Sequence, residues 1–217
     1  MIFLDTSNIN EIKRFHNMGI IRGVTTNPSI MRADNSTWDD LSEIARYIYP
    51  YPVSIEVLTN IKTNMLSEAV YLTSKDDNIV VKIPIHGPNG ELDNIDVIHE
   101  LESKLNIRIN ATAMMSAQQG YLAAIAGATY VSLFGGRINN MGYDAKTEIS
   151  RLRKLLDFEL LNSKIIVGSV REVLNIIDWT EAGADYVTVV PSLLEKMFIN
   201  PYTKETVQQF LKDSLVQ

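Results

Sequence analysis

The sequence contains no cysteine. That absence excludes disulfides, thiolate-bound zinc and a cysteine nucleophile, and it fits a reducing compartment. Positive charge is also scarce: 20 Lys and Arg stand against 26 Asp and Glu, for a formal net charge of -6. No basic stripe is available to neutralise a duplex, so no nucleic-acid partner is expected, although a few placed arginines can hold one phosphate. No apolar run approaches the ~20 residues that cross a bilayer, so no membrane partner is expected either. The first residues, Met1-Ile2-Phe3-Leu4-Asp5, lack the basic region and long apolar stretch of a secretory signal. The expected location is the cytoplasm, and the glycosylation sequons at Asn35 and Asn110 read as chance matches. The three histidines, His16, His86 and His99, form no spaced ligand set, and no metal motif is present. His16 and His99 fall on predicted helices as surface residues, whereas His86 lies close enough to Lys82 to shape the mouth of a site.

What is present suits one domain with its own core: 217 residues, 46 % hydrophobic and 21 % charged. Short β-branched runs alternate with longer helical patterns. Strands are predicted at 2–4, 23–25, 53–56, 79–83, 107–111, 130–134, 164–168 and 186–189. Helices are predicted between them, with a turn at Thr26-Asn27-Pro28-Ser29 that offers Asn27 and Ser29 as candidate caps, and a glycine-rich loop after Phe134. Two helical pieces close the chain, one from Pro191 and one from about Thr203. Strict strand–helix alternation implies a parallel sheet, and about eight units imply a closed (β/α)8 TIM barrel. A doubly wound open sheet is the alternative, but no G-x-G-x-x-G follows the first strand. Residues 1–217 thus read as a single α/β domain, with 203–217 as an extra C-terminal helix. Val207, Phe210, Leu211 and Leu215 give that helix an apolar face, to pack on its own barrel or on a neighbouring subunit.

In a parallel barrel the active site lies at the carboxyl ends of the strands, so polar residues there are the informative ones. They recur as Asp5, Thr26 with Asn27, Glu56, Lys82, Asn110 with Thr112, Ser132 and Ser169. Lys82 interrupts Val80-Val81-Lys82-Ile83-Pro84, where a lysine is costly to bury unless it is used. Desolvation favours the neutral amine, the form that attacks a carbonyl. The competing reading is an outward lysine whose stem snorkels between helices. Asp5 and Glu56 offer carboxylates for proton transfer, against a helix cap for Asp5 (with Thr6 and Ser7 competing) and a surface salt bridge for Glu56. Arg137 after Gly135-Gly136, and Ser169-Val170-Arg171 at a helix start, suit a phosphate, against plain solvation of both arginines. The Met114-Met115 pair reads as core packing.

Five blocks carry a family resemblance over nearly the whole chain, in order. They are Phe3-Leu4-Asp5-Thr6, Gly23-Val24-Thr25-Thr26-Asn27-Pro28-Ser29, Val80-Val81-Lys82-Ile83-Pro84, Ala126-Gly127-Ala128-Thr129-Tyr130-Val131 and Ala182-Gly183-Ala184-Asp185. The pattern resembles the small transaldolases and the closely related fructose 6-phosphate aldolases. The resemblance implies a Schiff-base mechanism without a cofactor, acting on sugar-phosphate substrates. It implies Lys82 as nucleophile and Asp5 as the proton acceptor during carbon–carbon cleavage. It further implies Glu56 and Thr112 around a water, and Thr26, Asn27, Asn110, Ser132 and Phe134 around the donor sugar. Arg137, Ser169 and Arg171 are implied at the phosphate. Glu at 56 and Phe at 134 are similar to the transaldolase branch, whereas the aldolase branch usually carries Gln and Tyr. Transfer of a dihydroxyacetone unit in the pentose phosphate pathway is therefore the expected activity, with release of free dihydroxyacetone as the alternative. A phosphosugar-binding barrel without chemistry is the alternative of another class. The loop His86-Gly87-Pro88-Asn89-Gly90 departs from the family pattern, which bears on the acceptor, and Ala111 stands where valine is commoner. The resemblance also implies a homo-oligomer, a decamer in form, with the last helix packed on a neighbour.

Overall fold

Alternation along each strand decides what enters the barrel and what meets the helices. A computed structural model describes residues 1–215. Its eight strands are β1 (Ile2–Asp5), β2 (Ile21–Thr25), β3 (Val53–Glu56), β4 (Ile79–Pro84), β5 (Ile109–Met114), β6 (Tyr130–Phe134), β7 (Lys164–Gly168) and β8 (Tyr186–Val189). They pair in sequence order, all parallel, and β8 returns to β1 to close the barrel. Helices fill the connections: α1 (Ile9–Asn17), α2 (Pro28–Asp34), α3 (Trp38–Ile48), α4 (Lys62–Thr73), α5 (Asp93–Leu105), α6 (Ala117–Ile125), α7 (Gly135–Asn140), α8 (Ala145–Phe158) and α9 (Val173–Glu181). After β8 come α10 (Pro191–Lys196) and α11 (Pro201–Ser214).

One set of alternate strand residues faces outward. Leu4, Val24, Ile55, Val81, Ile83, Val131, Leu133, Val167 and Val187 join the core under the helices. Helix α3 shows how that layer is specified. Its buried Leu41, Ile44, Ala45 and Ile48 recur at i, i+3, i+4 and i+7, so one stripe meets the sheet. Thr37 and Asp40 close a capping box at its start. Each such buried aliphatic side chain contributes at most about 1.5–3 kcal/mol.

The other set points inward, in layers. The lower layer is apolar: Phe3, Val80, Tyr130 and Ile166 form a separate cluster with Tyr186 against it. Gly23 is required beside this plug, because a Cβ there would lie 2.7 Å from the Phe3 ring. Two residues beyond Phe3, Val80, Tyr130 and Tyr186 the inward side chains become polar, as Asp5, Lys82, Ser132 and Thr188, and Thr25, Ser54 and Asn110 add inward polar groups on β2, β3 and β5. The period of two thus stacks the chemistry directly on a hydrophobic floor.

Of the two candidate caps, Asn27 caps α2, accepting from the Ile30 N–H at 3.0 Å, with Pro28 at its first position. Two local expectations change. The segment after Phe134 is a helical turn, α7, rather than a loop. Arg171 does not lie in a helix, because α9 begins two residues later, capped by Glu172.

The C-terminal helix begins at Pro201, capped by Asn200, rather than at Thr203, and residues 216–217 of the expected 203–217 helix lie outside the described residues. It buries none of its residues, so packing of its apolar face on its own barrel is excluded.

Candidate active site

The mouth of the barrel holds a cavity of about 160 Å³. Asp5, Asn27, Lys82, Asn110, Thr112, Ser132, Phe134, Arg137, Ser169 and Arg171 line it, all of them residues singled out in the sequence. Thr26 and Glu56 are not on its wall but lie behind it. Each reaches the site through Lys82.

Lys82 points inward and is 5 % exposed, which rules out the snorkelling alternative. Its ammonium donates to the Thr26 carbonyl at 2.8 Å and lies 3.3 Å from Glu56 Oε2. The strand register makes this pairing, because Glu56 and Lys82 are partners on β3 and β4. Glu56 is therefore no surface salt bridge. A buried ammonium without such partners would be strongly unfavourable. The same carboxylate is placed to accept the proton that the ammonium must lose before its nitrogen can attack.

Asp5 ends β1, and it does not cap α1, because Asn8 does so. Thr6 and Ser7, the other cap candidates, are instead held by Asp34. Asp5 Oδ1 accepts from the Thr25 hydroxyl at 2.7 Å. Although its carboxyl faces the cavity, burial pushes its pKa up, opposed by the Thr25 hydrogen bond and by the charge of Lys82. The proton affinity of this carboxyl is thus raised toward that of a general base.

Asn110 is fixed at both ends of its amide. Its Nδ2 donates to Ser54 Oγ at 3.1 Å, and its Oδ1 accepts from the Ser132 hydroxyl at 2.6 Å. Thr112, on the same strand face, has a buried hydroxyl with no protein partner among the described residues. A buried polar atom on a cavity wall, left unpaired by protein, suits a water or a ligand hydroxyl. A bulge follows at once, with Ala113 at φ 60° and the ladder register shifting between Ala111 and Met114.

Arg137 and Arg171 are exposed at the rim and line the cavity without an ion pair among the described residues. Arg137 stacks on Phe134, 5.2 Å from the ring centre. Gly136 lets α7 close on the loop after β7, since a Cβ there would overlap the Ser169 carbonyl oxygen and crowd the Arg171 stem. Ser169 itself is held at φ 61°, a left-handed conformation uncommon for serine. Two guanidinium groups and a serine thus converge on one side of the mouth, a grouping suited to an anion.

The sequence did not single out Thr25, Ser54 or Thr188, which complete this polar layer. His86 is exposed, bonded among the described residues only to the neighbouring Gly87 carbonyl, and does not line the cavity, contrary to expectation. His99 is exposed as expected, whereas His16 is half-buried between Tyr47 and Tyr51. Met114 packs in the core. Among the described residues no helix is long and apolar enough to cross a membrane, and no group of His, Asp or Glu is arranged to hold a metal ion.

Residues 2–216 match the family described as transaldolase/fructose-6-phosphate aldolase. A probable transaldolase of Carboxydothermus hydrogenoformans is 39% identical over 98% of this chain and 96% of its own length. One of Nitrosopumilus maritimus is 37% identical, over 98% and 93%. One of Methanococcus maripaludis is 36% identical, over 97% and 95%. With a closed parallel barrel beneath a lysine–carboxylate site, the chain belongs to the transaldolase/fructose-6-phosphate aldolase family.

Proposed function

We propose that the protein is a transaldolase that moves a dihydroxyacetone unit between sugar phosphates through a Schiff base on Lys82. The pairs would be sedoheptulose 7-phosphate with glyceraldehyde 3-phosphate, and erythrose 4-phosphate with fructose 6-phosphate. The observation that carries the proposal is the buried Lys82 ammonium beside Glu56, on the wall of a cavity that also holds Asp5.

In this reading Lys82, its proton passed to Glu56, attacks the ketone carbon of the donor. The carbonyl oxygen leaves as water, protonated in the region of Glu56 and Thr112, and an iminium remains. Asp5 then takes the proton of the hydroxyl whose carbon–carbon bond breaks. The electron pair of that bond moves into the iminium, an aldehyde departs, and a three-carbon enamine stays on the lysine. An acceptor aldose reverses these steps, and water hydrolyses the product imine. Asn27, Asn110 and Ser132 hold donor hydroxyls, Thr26 orients the lysine through its carbonyl, and Arg137, Ser169 and Arg171 hold the phosphate. Phe134 lines the cavity without a hydroxyl to protonate the enamine or activate water, which favours retention until an acceptor arrives. The test is a coupled assay with fructose 6-phosphate, with and without erythrose 4-phosphate. Acceptor-dependent formation of glyceraldehyde 3-phosphate is expected, and dominant release of free dihydroxyacetone without acceptor would assign the aldolase activity instead.

The remaining expectations join this proposal: one barrel domain, a cytoplasmic enzyme, and a homo-oligomer in which α11 covers a neighbouring copy. Support for the last comes from α11 itself, where Phe210 is 66% and Leu211 62% exposed. Apolar side chains lined up on a helix that touches little of its own barrel are better explained by a partner.

A further inference from the structure

Asp5 is backed by two hydroxyls to which the family resemblance assigns no role, those of Thr25 and Thr188. Thr25 ends β2 directly opposite Asp5 in the register, and Thr188 sits on β8 at the other edge of β1. Both are buried in the cavity wall, 2% and 6% exposed. Thr25 Oγ1 lies 2.7 Å from Asp5 Oδ1 and 2.5 Å from Thr188 Oγ1.

We propose that Thr188 and Thr25 form a one-way hydrogen-bond relay that positions Asp5, holding Oδ1 so that Oδ2 receives the substrate proton. This rests on the role given to Asp5 in the proposed function. The direction follows from counting protons. A carboxylate brings none, so Thr25 must donate its single hydroxyl proton to Asp5 Oδ1. It then has none left for Thr188, so Thr188 must be the donor to Thr25. Oδ2 accepts no hydrogen bond among the described residues. Rotation about the carboxyl bond is otherwise broad and two-fold, and one fixed oxygen removes that freedom. Threonine suits the task because branching at Cβ restricts its own rotation.

The relay leaves the chemistry balanced. The substrate hydroxyl proton moves to Oδ2 as the carbon–carbon pair flows into the iminium, and Oδ1 keeps accepting from Thr25 throughout. Two hydrogen bonds in series toward a carboxylate also favour its charged form, against the burial that disfavours it. The charged group that acts on Asp5 is Lys82 of β4, with Glu56 of β3 behind it. Arg137 and Arg171 line the same cavity from the β6 and β7 ends, while β2 and β8 present only the two threonines.

The test is the pH profile of kcat in Thr25→Val, Thr25→Ser and Thr188→Val, measured beside borohydride trapping of fructose 6-phosphate on Lys82. Thr25→Val is expected to lower kcat about 10–100-fold, with KM changed less than about threefold. It should move the acid limb up by about one pH unit and leave trapping on Lys82 intact. Thr25→Ser should restore most of the rate, and Thr188→Val should move the limb the same way by less. A limb that stays at the wild-type pH in both valine variants overturns the relay, whatever the loss of rate. If Thr25→Val does not fold by circular dichroism, Thr188→Val decides alone. Absence of any adduct in the wild type would instead remove the proposed function, so the two failures are distinguishable.

Discussion

Lys82 and Glu56 are register partners on adjacent strands, with the ammonium nitrogen 3.3 Å from the carboxylate and both turned into the barrel. The pair is what the inward step of each strand produces one layer above the apolar floor of Phe3, Val80, Tyr130 and Ile166. Its consequence is that the proposed nucleophile and proton acceptor are held by the backbone ladder rather than by loops. Glu56→Gln keeps the shape but removes the base, so imine formation is expected to slow about 10²-fold or more in single-turnover trapping. Wild-type trapping rates in that variant would place the proton acceptor elsewhere.

Asp5 has its pKa raised, first by burial, with the Thr25 hydrogen bond and Lys82 opposing. As the proposed base Asp5 works only as the carboxylate, so kcat is expected to fall as pH falls through this raised value, above the usual carboxylate range near 4. For folding, the sign is the reverse of a salt-bridged acid. The native state prefers the protonated form, so the stabilising contribution is complete below the unfolded pKa and is lost as pH rises through the native one. Asp5→Asn should therefore abolish turnover yet raise Tm at pH 7–8, with the gain shrinking as pH falls toward ~4. Thermal unfolding across pH checks this, and a variant equally destabilised at every pH would contradict it.

The proposed phosphate side can be tested apart from the chemistry. Arg137→Ala and Arg171→Ala are each expected to raise KM for fructose 6-phosphate about 10–100-fold, consistent with loss of a charge-assisted hydrogen bond. Activity on unphosphorylated fructose should change little. Steady-state kinetics on both sugars checks it, and equal losses on the two would argue against an anion site.

How much of this was legible in the sequence depends on whether local signals agreed with the fold. The strand-end polar residues stood out because lysine and carboxylates are costly in apolar runs. Thr25 and Thr188 did not, because threonine is an ordinary strand residue and looks the same whether it packs or bonds. Helix α7 read as a loop because Gly135-Gly136 has poor helix propensity. Contacts far along the chain override it: Gly135 lies against Trp179 and Gly136 against Ser169.

Gly136→Ala tests that closure. The added Cβ meets the Ser169 carbonyl oxygen, a backbone atom that cannot swing away as a flexible side-chain tip would. A loss of about 1–3 kcal/mol is expected by chemical denaturation, together with a raised KM for the phosphorylated donor. Wild-type stability and KM would show that α7 and the Ser169 loop are not locked together.

Removal of residues 201–217 tests the role assigned to α11. Because α11 buries none of its residues, the barrel should keep its far-UV spectrum while the mass by light scattering falls toward that of one chain. An unchanged mass would remove α11 from the subunit contact.

The most direct measurement is borohydride reduction in the presence of fructose 6-phosphate, followed by peptide mass spectrometry. The predicted result is a three-carbon adduct on Lys82, lost in Lys82→Met. A substrate-dependent adduct on another lysine, or none at all, would contradict the account.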